Sequence, residues 1–126
     1  MNKELVVKKC AKCGALVVEL NKCNCENCGI KCCGEEMKVL APNTVDAAVE
    51  KHKPTYEIVD GMLKVKVNHV MEEEHYIEWI CIVGDNINIM KKLNPNEVAE
   101  FTCEYSDDVE IYSYCNKHGL WKTEVK

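Results

Sequence analysis

Tyr56-Glu57-Ile58-Val59-Asp60-Gly61-Met62-Leu63-Lys64-Val65-Lys66-Val67 decides the fold of this chain. Two runs rich in β-branched residues flank Asp60-Gly61, the dipeptide that tolerates the left-handed backbone of a two-residue hairpin turn. Leu63, Val65 and Val67 alternate with Lys64 and Lys66, as a strand with one buried face requires. The same signature recurs downstream. His75 to Val83 reads as a longer strand with Ile77, Trp79, Cys81 and Val83 on one face, and Gly84-Asp85-Asn86 turns it into Ile87 to Met90. Val98 to Tyr105 alternates Phe101, Cys103 and Tyr105 with acidic and hydroxyl residues, and Val109 to Cys115 and Leu120 to Val125 follow. About seven short strands with tight turns and no long helix predict an immunoglobulin-like antiparallel sandwich over residues 41–126. Cys81 and Cys103 read as small buried residues on their strands' apolar faces.

Upstream of the hairpin lies a connector. Thr44 is placed to N-cap a helix through Val45-Asp46-Ala47-Ala48-Val49-Glu50, and Pro54 stops it. Glu50, Lys51 and His52 are then delivered into a loop. Residues 1–40 form a different unit. Leu5-Val6-Val7 and Ala15 to Leu20 read as strands around Cys10-Ala11-Lys12-Cys13-Gly14, a spacing that lets two thiolates reach one metal. Cys23, Cys25, Cys28, Cys32 and Cys33 follow. So short a unit buries too little apolar surface to fold unaided, and a four-thiolate metal site supplies the missing stability. Two ligand sets are open on spacing. One pairs Cys10 and Cys13 with Cys25 and Cys28 as matching knuckles; the other pairs them with the adjacent Cys32 and Cys33. Zinc and iron are both compatible with either set.

Composition narrows the function. The chain has 126 residues, 47% of them hydrophobic, and no apolar run of membrane-span length. Met1 to Lys9 carries no apolar segment of signal-peptide length, so a cytoplasmic location with reduced thiols is expected. In that setting ten cysteines, seven of them between Cys10 and Cys33, point to metal and not to disulfides. A net charge of −5 argues against nucleic acid as a partner. An anionic substrate would need a local basic group to draw it in.

The chemistry centres on Tyr114-Cys115-Asn116-Lys117-His118-Gly119. A thiol and an imidazole three residues apart are good transition-metal ligands, but one pair is too few. The remaining histidines, His52, His69 and His75, each lie beside a loop or a strand end. His69 and His75 flank the loop Val70-Met71-Glu72-Glu73-Glu74, whose acidic run reads as solvated. Gathered at one end of the sandwich, four histidines and Cys115 make a five-donor set, which disfavours tetrahedral zinc. Imidazoles in a plane with an axial thiolate would leave one position open for a small oxygen species, and the thiolate would push electron density towards it.

These motifs resemble the superoxide reductases of the two-iron desulfoferrodoxin type: a desulforedoxin-like unit followed by a neelaredoxin-like domain. The resemblance runs through Cys10-x-x-Cys13, Cys32-Cys33-Gly34, Asn43-Thr44-Val45-Asp46-Ala47-Ala48, Glu50-Lys51-His52-x-Pro54, His69-x-Met71-x-x-x-His75-Tyr76-Ile77-x-Trp79 and Cys115-Asn116-x-His118-Gly119. It implies His52, His69, His75 and His118 as equatorial iron ligands and Cys115 as the axial one. It implies Glu50 as the carboxylate that closes the sixth position and Lys51 as the lysine held over it. It implies Cys10, Cys13, Cys32 and Cys33 as ligands of a second iron. The activity implied is one-electron reduction of superoxide to hydrogen peroxide, with an electron donor such as rubredoxin, in a homodimer. The spacing from Cys13 to Cys32 is longer than the family pattern, and Val70 stands where the family often has proline. The competing expectations are a rubredoxin-like metal-thiolate electron carrier fused to an inert sandwich, and a structural zinc protein.

Overall fold

A computed structural model describes residues 5–21 and 29–125. The chain divides into two compact units, residues 4–41 and a second built from residues 42–126. Cys23, Cys25 and Cys28 lie outside the described residues.

In the first unit, β1 (Val6–Lys9) is the centre of a three-stranded antiparallel sheet between β2 (Leu16–Glu19) and β5 (Lys38–Val39). A separate small hairpin pairs β3 (Lys31–Cys32) with β4 (Glu35–Glu36). Its two-residue turn is Cys33-Gly34, both with positive φ, at 55° and 78°. Glycine adopts this conformation freely, whereas for cysteine it costs about 1–2 kcal/mol. Leu5, Val6, Val7, Cys10 and Met37 are this unit's buried apolar residues among those described, a small core for an independent fold.

The second unit is a sandwich of two antiparallel sheets. Strands β6 (Thr55–Val59), β7 (Met62–Lys66) and β10 (Glu100–Glu104) form one, in the order β10-β7-β6. Strands β8 (Ile77–Val83), β9 (Asn88–Lys92), β11 (Glu110–Cys115) and β12 (Gly119–Glu124) form the other, in the order β12-β11-β8-β9. Asp60 and Gly61 turn the β6–β7 hairpin with φ of 51° and 77°, as its sequence predicts. The core between the sheets joins Leu63 and Val65 of β7 and Cys103 of β10 to Ile80 and Ile82 of β8 and Ile111 of β11.

Two sequence expectations need correction. Strand β8 turns Ile80 and Ile82 into the sandwich core, not Trp79, Cys81 and Val83. Both faces of β8 are buried, so alternation could not tell inside from outside. The register against β11 also slips: Tyr114 faces Trp79 but Cys115 faces Ile77, leaving Glu78 over. The slip puts Ile77 on the same face as Ile80. The second correction concerns the connector helix, which spans only Val49–His52 (α1), with Ala48 and not Thr44 as its N-cap. Residues ahead of it are claimed by β12 instead. The Asn43 backbone N–H donates to the Leu120 carbonyl at 3.0 Å, its Nδ2 donates to the Lys122 carbonyl at 3.2 Å, and its Oδ1 accepts from the Lys122 N–H at 2.9 Å. These tertiary bonds outcompete a helical turn.

Candidate metal centres

His52 ends α1, His69 follows β7, His75 precedes β8, Cys115 ends β11, and His118 is the last residue of the β11–β12 turn. The turn is a three-residue loop, Asn116 to His118, closed by the pair Cys115–Gly119. Gly119 has a φ of 80°, and a Cβ there would also lie 3.2 Å from Val45 Cγ2. The His69–His75 loop is tightened by reciprocal backbone bonds between Glu72 and His75, at 3.0 and 3.1 Å. Its three glutamates are exposed, as expected. Asn116 joins the two loops: its N–H donates to the Tyr76 carbonyl at 3.3 Å, its Oδ1 accepts from the Tyr76 N–H at 3.1 Å, and its Nδ2 donates to the Glu74 carbonyl at 3.0 Å.

One donor atom from each of His52, His69, His75, Cys115 and His118 falls within 4.8 Å of every other. The His118 Nδ1 lies 3.0 Å from His52 Nε2 and 3.2 Å from His75 Nε2. The Cys115 sulfur lies 3.4 Å from His69 Nε2 and 3.8 Å from His118 Nδ1. The four rings follow one another around a cycle. Centroid separations are 4.7 Å for His52–His69, 4.6 Å for His69–His75, 5.0 Å for His75–His118 and 4.7 Å for His118–His52. The diagonal His52–His75 is 6.5 Å, the diagonal of a square with such edges.

That spacing tests the fit of a metal. Half the diagonal, less about 1.1 Å from ring centroid to ring nitrogen, leaves about 2.1 Å, the usual metal–imidazole bond. The tautomers agree. A carbonyl only accepts, so His52 Nδ1–H must donate to Ala48 O at 2.7 Å, and His69 Nδ1–H to Val70 O. Each Nε2 lone pair then faces the cluster. Burial, the largest influence, lowers the pKa of His69 and of His75, which keeps both rings neutral and able to donate. Burial pushes the Cys115 thiol up, while the N–H groups of Lys117 and His118 pull it part of the way back. Five donors with four imidazoles in a ring suit iron better than tetrahedral zinc.

Glu50 and Lys51 are exposed on α1, immediately before buried His52. Among the described residues, Glu50 is not in the converging set.

The first unit gathers a second set, Cys10, Cys13, Cys32 and Cys33, again within 4.8 Å of one another. The Cys13 and Cys32 sulfurs are 3.6 Å apart, and those of Cys32 and Cys33 3.9 Å. Thiolates at the corners of a tetrahedron, bound at about 2.3 Å, are about 3.8 Å apart. With a left-handed backbone at Cys33, the adjacent cysteines hold their sulfurs at a spacing that would suit two corners of such a site. Chiefly because the Cys13 N–H points at its sulfur, the Cys10 pKa falls to about 6. The side chains of Cys13, then Cys10, push the Cys32 thiol up to about 12. The rival pairing with Cys25 and Cys28 lies outside the described residues.

Sequence reasoning missed three supports of the five-donor set. Trp121 stacks on His52 and donates to the His118 carbonyl. Ser113 Oγ donates to the His52 carbonyl at 3.0 Å. Asn116 stood inside a recognised motif, but its cross-loop partners are not visible in one dimension.

Comparison with known proteins agrees with this geometry. A sequence model described as Desulfoferrodoxin matches residues 44–124. The desulfoferrodoxin of Desulfarculus baarsii is 43% identical over 98% of this chain and 99% of its own length. That of Nitratidesulfovibrio vulgaris is 40% identical over 99% and 100%. The crystal structure of the superoxide reductase from Treponema pallidum superposes with a TM-score of 0.72 at 31% identity, covering 95% of this chain and 98% of that one. With both thiol and imidazole clusters in place and relatives matched end to end, the chain belongs to the desulfoferrodoxin family.

Proposed function

We propose that this chain is a superoxide reductase, in which superoxide takes up one electron and two protons to give hydrogen peroxide. The observation that carries the reading is the square of four imidazoles with a buried thiol beside it. Iron held by His52, His69, His75, His118 and Cys115 supplies the electron when bound in the ferrous state. The residues around it do the rest. Neutral His69 and His75 keep their lone pairs available at neutral pH. Lys51, an exposed cation one residue from His52 on a chain of net charge −5, attracts the anion and positions water for proton delivery. Glu50, exposed on the same turn, provides the carboxylate that closes the site after turnover. Cys10, Cys13, Cys32 and Cys33 hold a second iron that relays or stores electrons. An external donor of the rubredoxin kind, a homodimer and a cytoplasmic location complete the proposal. Reduced thiols in both clusters fit that compartment. Among the described residues, no helix is long and apolar enough to cross a membrane.

Anaerobic metal analysis with product assay tests the reading. Two irons per chain are expected, one for each donor cluster. A superoxide pulse should yield hydrogen peroxide with no dioxygen beyond spontaneous dismutation. One metal per chain and no catalysed consumption of superoxide would instead identify an electron carrier with an inert sandwich.

Lys51→Ala should slow the second-order reaction with superoxide about tenfold or more and flatten its ionic-strength dependence. Pulse radiolysis reads both. An unchanged rate would reduce Lys51 to an ordinary surface charge.

A further inference from the structure

Trp121 supplies no donor atom, yet it touches two residues that do. It is 1% exposed and sits opposite Ser113 in the β11–β12 register. Its ring stacks on His52 with centroids 5.1 Å apart and planes 25° from parallel. Its Nε1–H donates to the His118 carbonyl at 3.1 Å. His52 and His118 come from separate elements, α1 and the β11–β12 turn, and their ring nitrogens meet 3.0 Å apart.

Resting on the reading of this cluster as an iron centre, we infer that Trp121 is a positioning residue that fixes His52 and His118 against each other before metal enters. An imidazole turns easily, because its terminal torsion has broad wells. Ala48 O holds His52 at one atom and sets its tautomer, but a single hydrogen bond leaves the ring plane free to tilt. The indole face sets that plane. His118 lies in a hairpin loop, where the peptide orientation decides which way the side chain leaves. The indole N–H anchors that peptide to β12. One side chain therefore orders two adjacent corners of the square, and metal binding need not do so.

Cobalt(II) is a suitable probe, added to metal-free full-length protein with chelator competition. Thiolate charge-transfer and d–d bands report the five-donor centre and the four-cysteine centre separately. Trp121→Leu removes both contacts. It should weaken cobalt at the five-donor centre about tenfold or more and shift its bands, with the four-cysteine centre unchanged. Trp121→Phe keeps an aromatic face and loses the N–H. It should recover part of the affinity, remaining a few-fold weaker than wild type with bands shifted less. Wild-type affinity and bands in both variants overturn the inference. So does an equal loss at both centres, which reports general destabilisation. Should the leucine variant not fold, the phenylalanine variant decides alone: wild-type values in it overturn the inference. Absence of a five-donor cobalt spectrum in the wild type is a separate failure, that of the metal reading itself.

Discussion

Replacing Cys115 with serine should abolish the thiolate band of the oxidised five-donor centre, leaving that of the four-cysteine centre, and most of the superoxide reductase activity. The sulfur is fully buried, 3.4 Å from His69 Nε2 and 3.8 Å from His118 Nδ1. It is the single anionic donor that the five-residue set can offer. A serine hydroxyl in the same place does not ionise in the physiological range, so the set becomes neutral. It is also a hard donor that gives no low-energy charge transfer. The N–H groups of Lys117 and His118, which favour the thiolate, lose the charge they stabilise. Loss of an outer-shell partner costs roughly 10–100-fold in affinity or activity, and loss of this direct donor should cost more. Absorption after mild oxidation and pulse radiolysis measure the two effects. A serine variant that retains both the band and the rate would remove Cys115 from the site.

Where the chain's own neighbours decide a conformation, the sequence was readable. Asp60-Gly61 specified its hairpin, because only a few residues tolerate two consecutive left-handed positions. The ligand histidines were readable for a different reason: the chain has four, and chance does not put each one beside a loop or a strand end. Distant partners hid the rest. Val45 to Ala48 have adequate helix formers, yet Asn43 ties the preceding backbone to Leu120 and Lys122, and the helix shrinks to one turn. Strand β8 is apolar on both faces, so its core side depended on a register slip at Glu78. Nothing in the sequence around Trp121 announces its contacts. Its role depends on a ring from residue 52 and a carbonyl from residue 118, a coincidence only the fold creates.

The four-cysteine cluster should depend on Cys32 and be indifferent to Cys25. The Cys32 sulfur sits 3.6 Å from Cys13 and 3.9 Å from Cys33, and its carbonyl oxygen lies 3.7 Å from the Cys10 sulfur. It is the hub of the set. Adjacent cysteines at first look unsuited to one ion, but Cys33 takes a left-handed backbone at the hairpin turn and swings its sulfur to a tetrahedral spacing. Four corners are then filled, and a fifth thiolate from Cys25 has no place on a tetrahedral ion. Cys32→Ser should therefore remove the four-thiolate spectrum. It should also loosen the first unit, whose small core relies on the metal for stability, and limited proteolysis should cut residues 4–41 faster. Superoxide reduction at the five-donor centre should persist when electrons are supplied externally, since none of its donors is touched. Cys25→Ser should leave spectrum, proteolysis and rate at wild-type values. Loss of the centre in the Cys25 variant with retention in the Cys32 variant would hand the ligand set to the paired knuckles, Cys10 and Cys13 with Cys25 and Cys28.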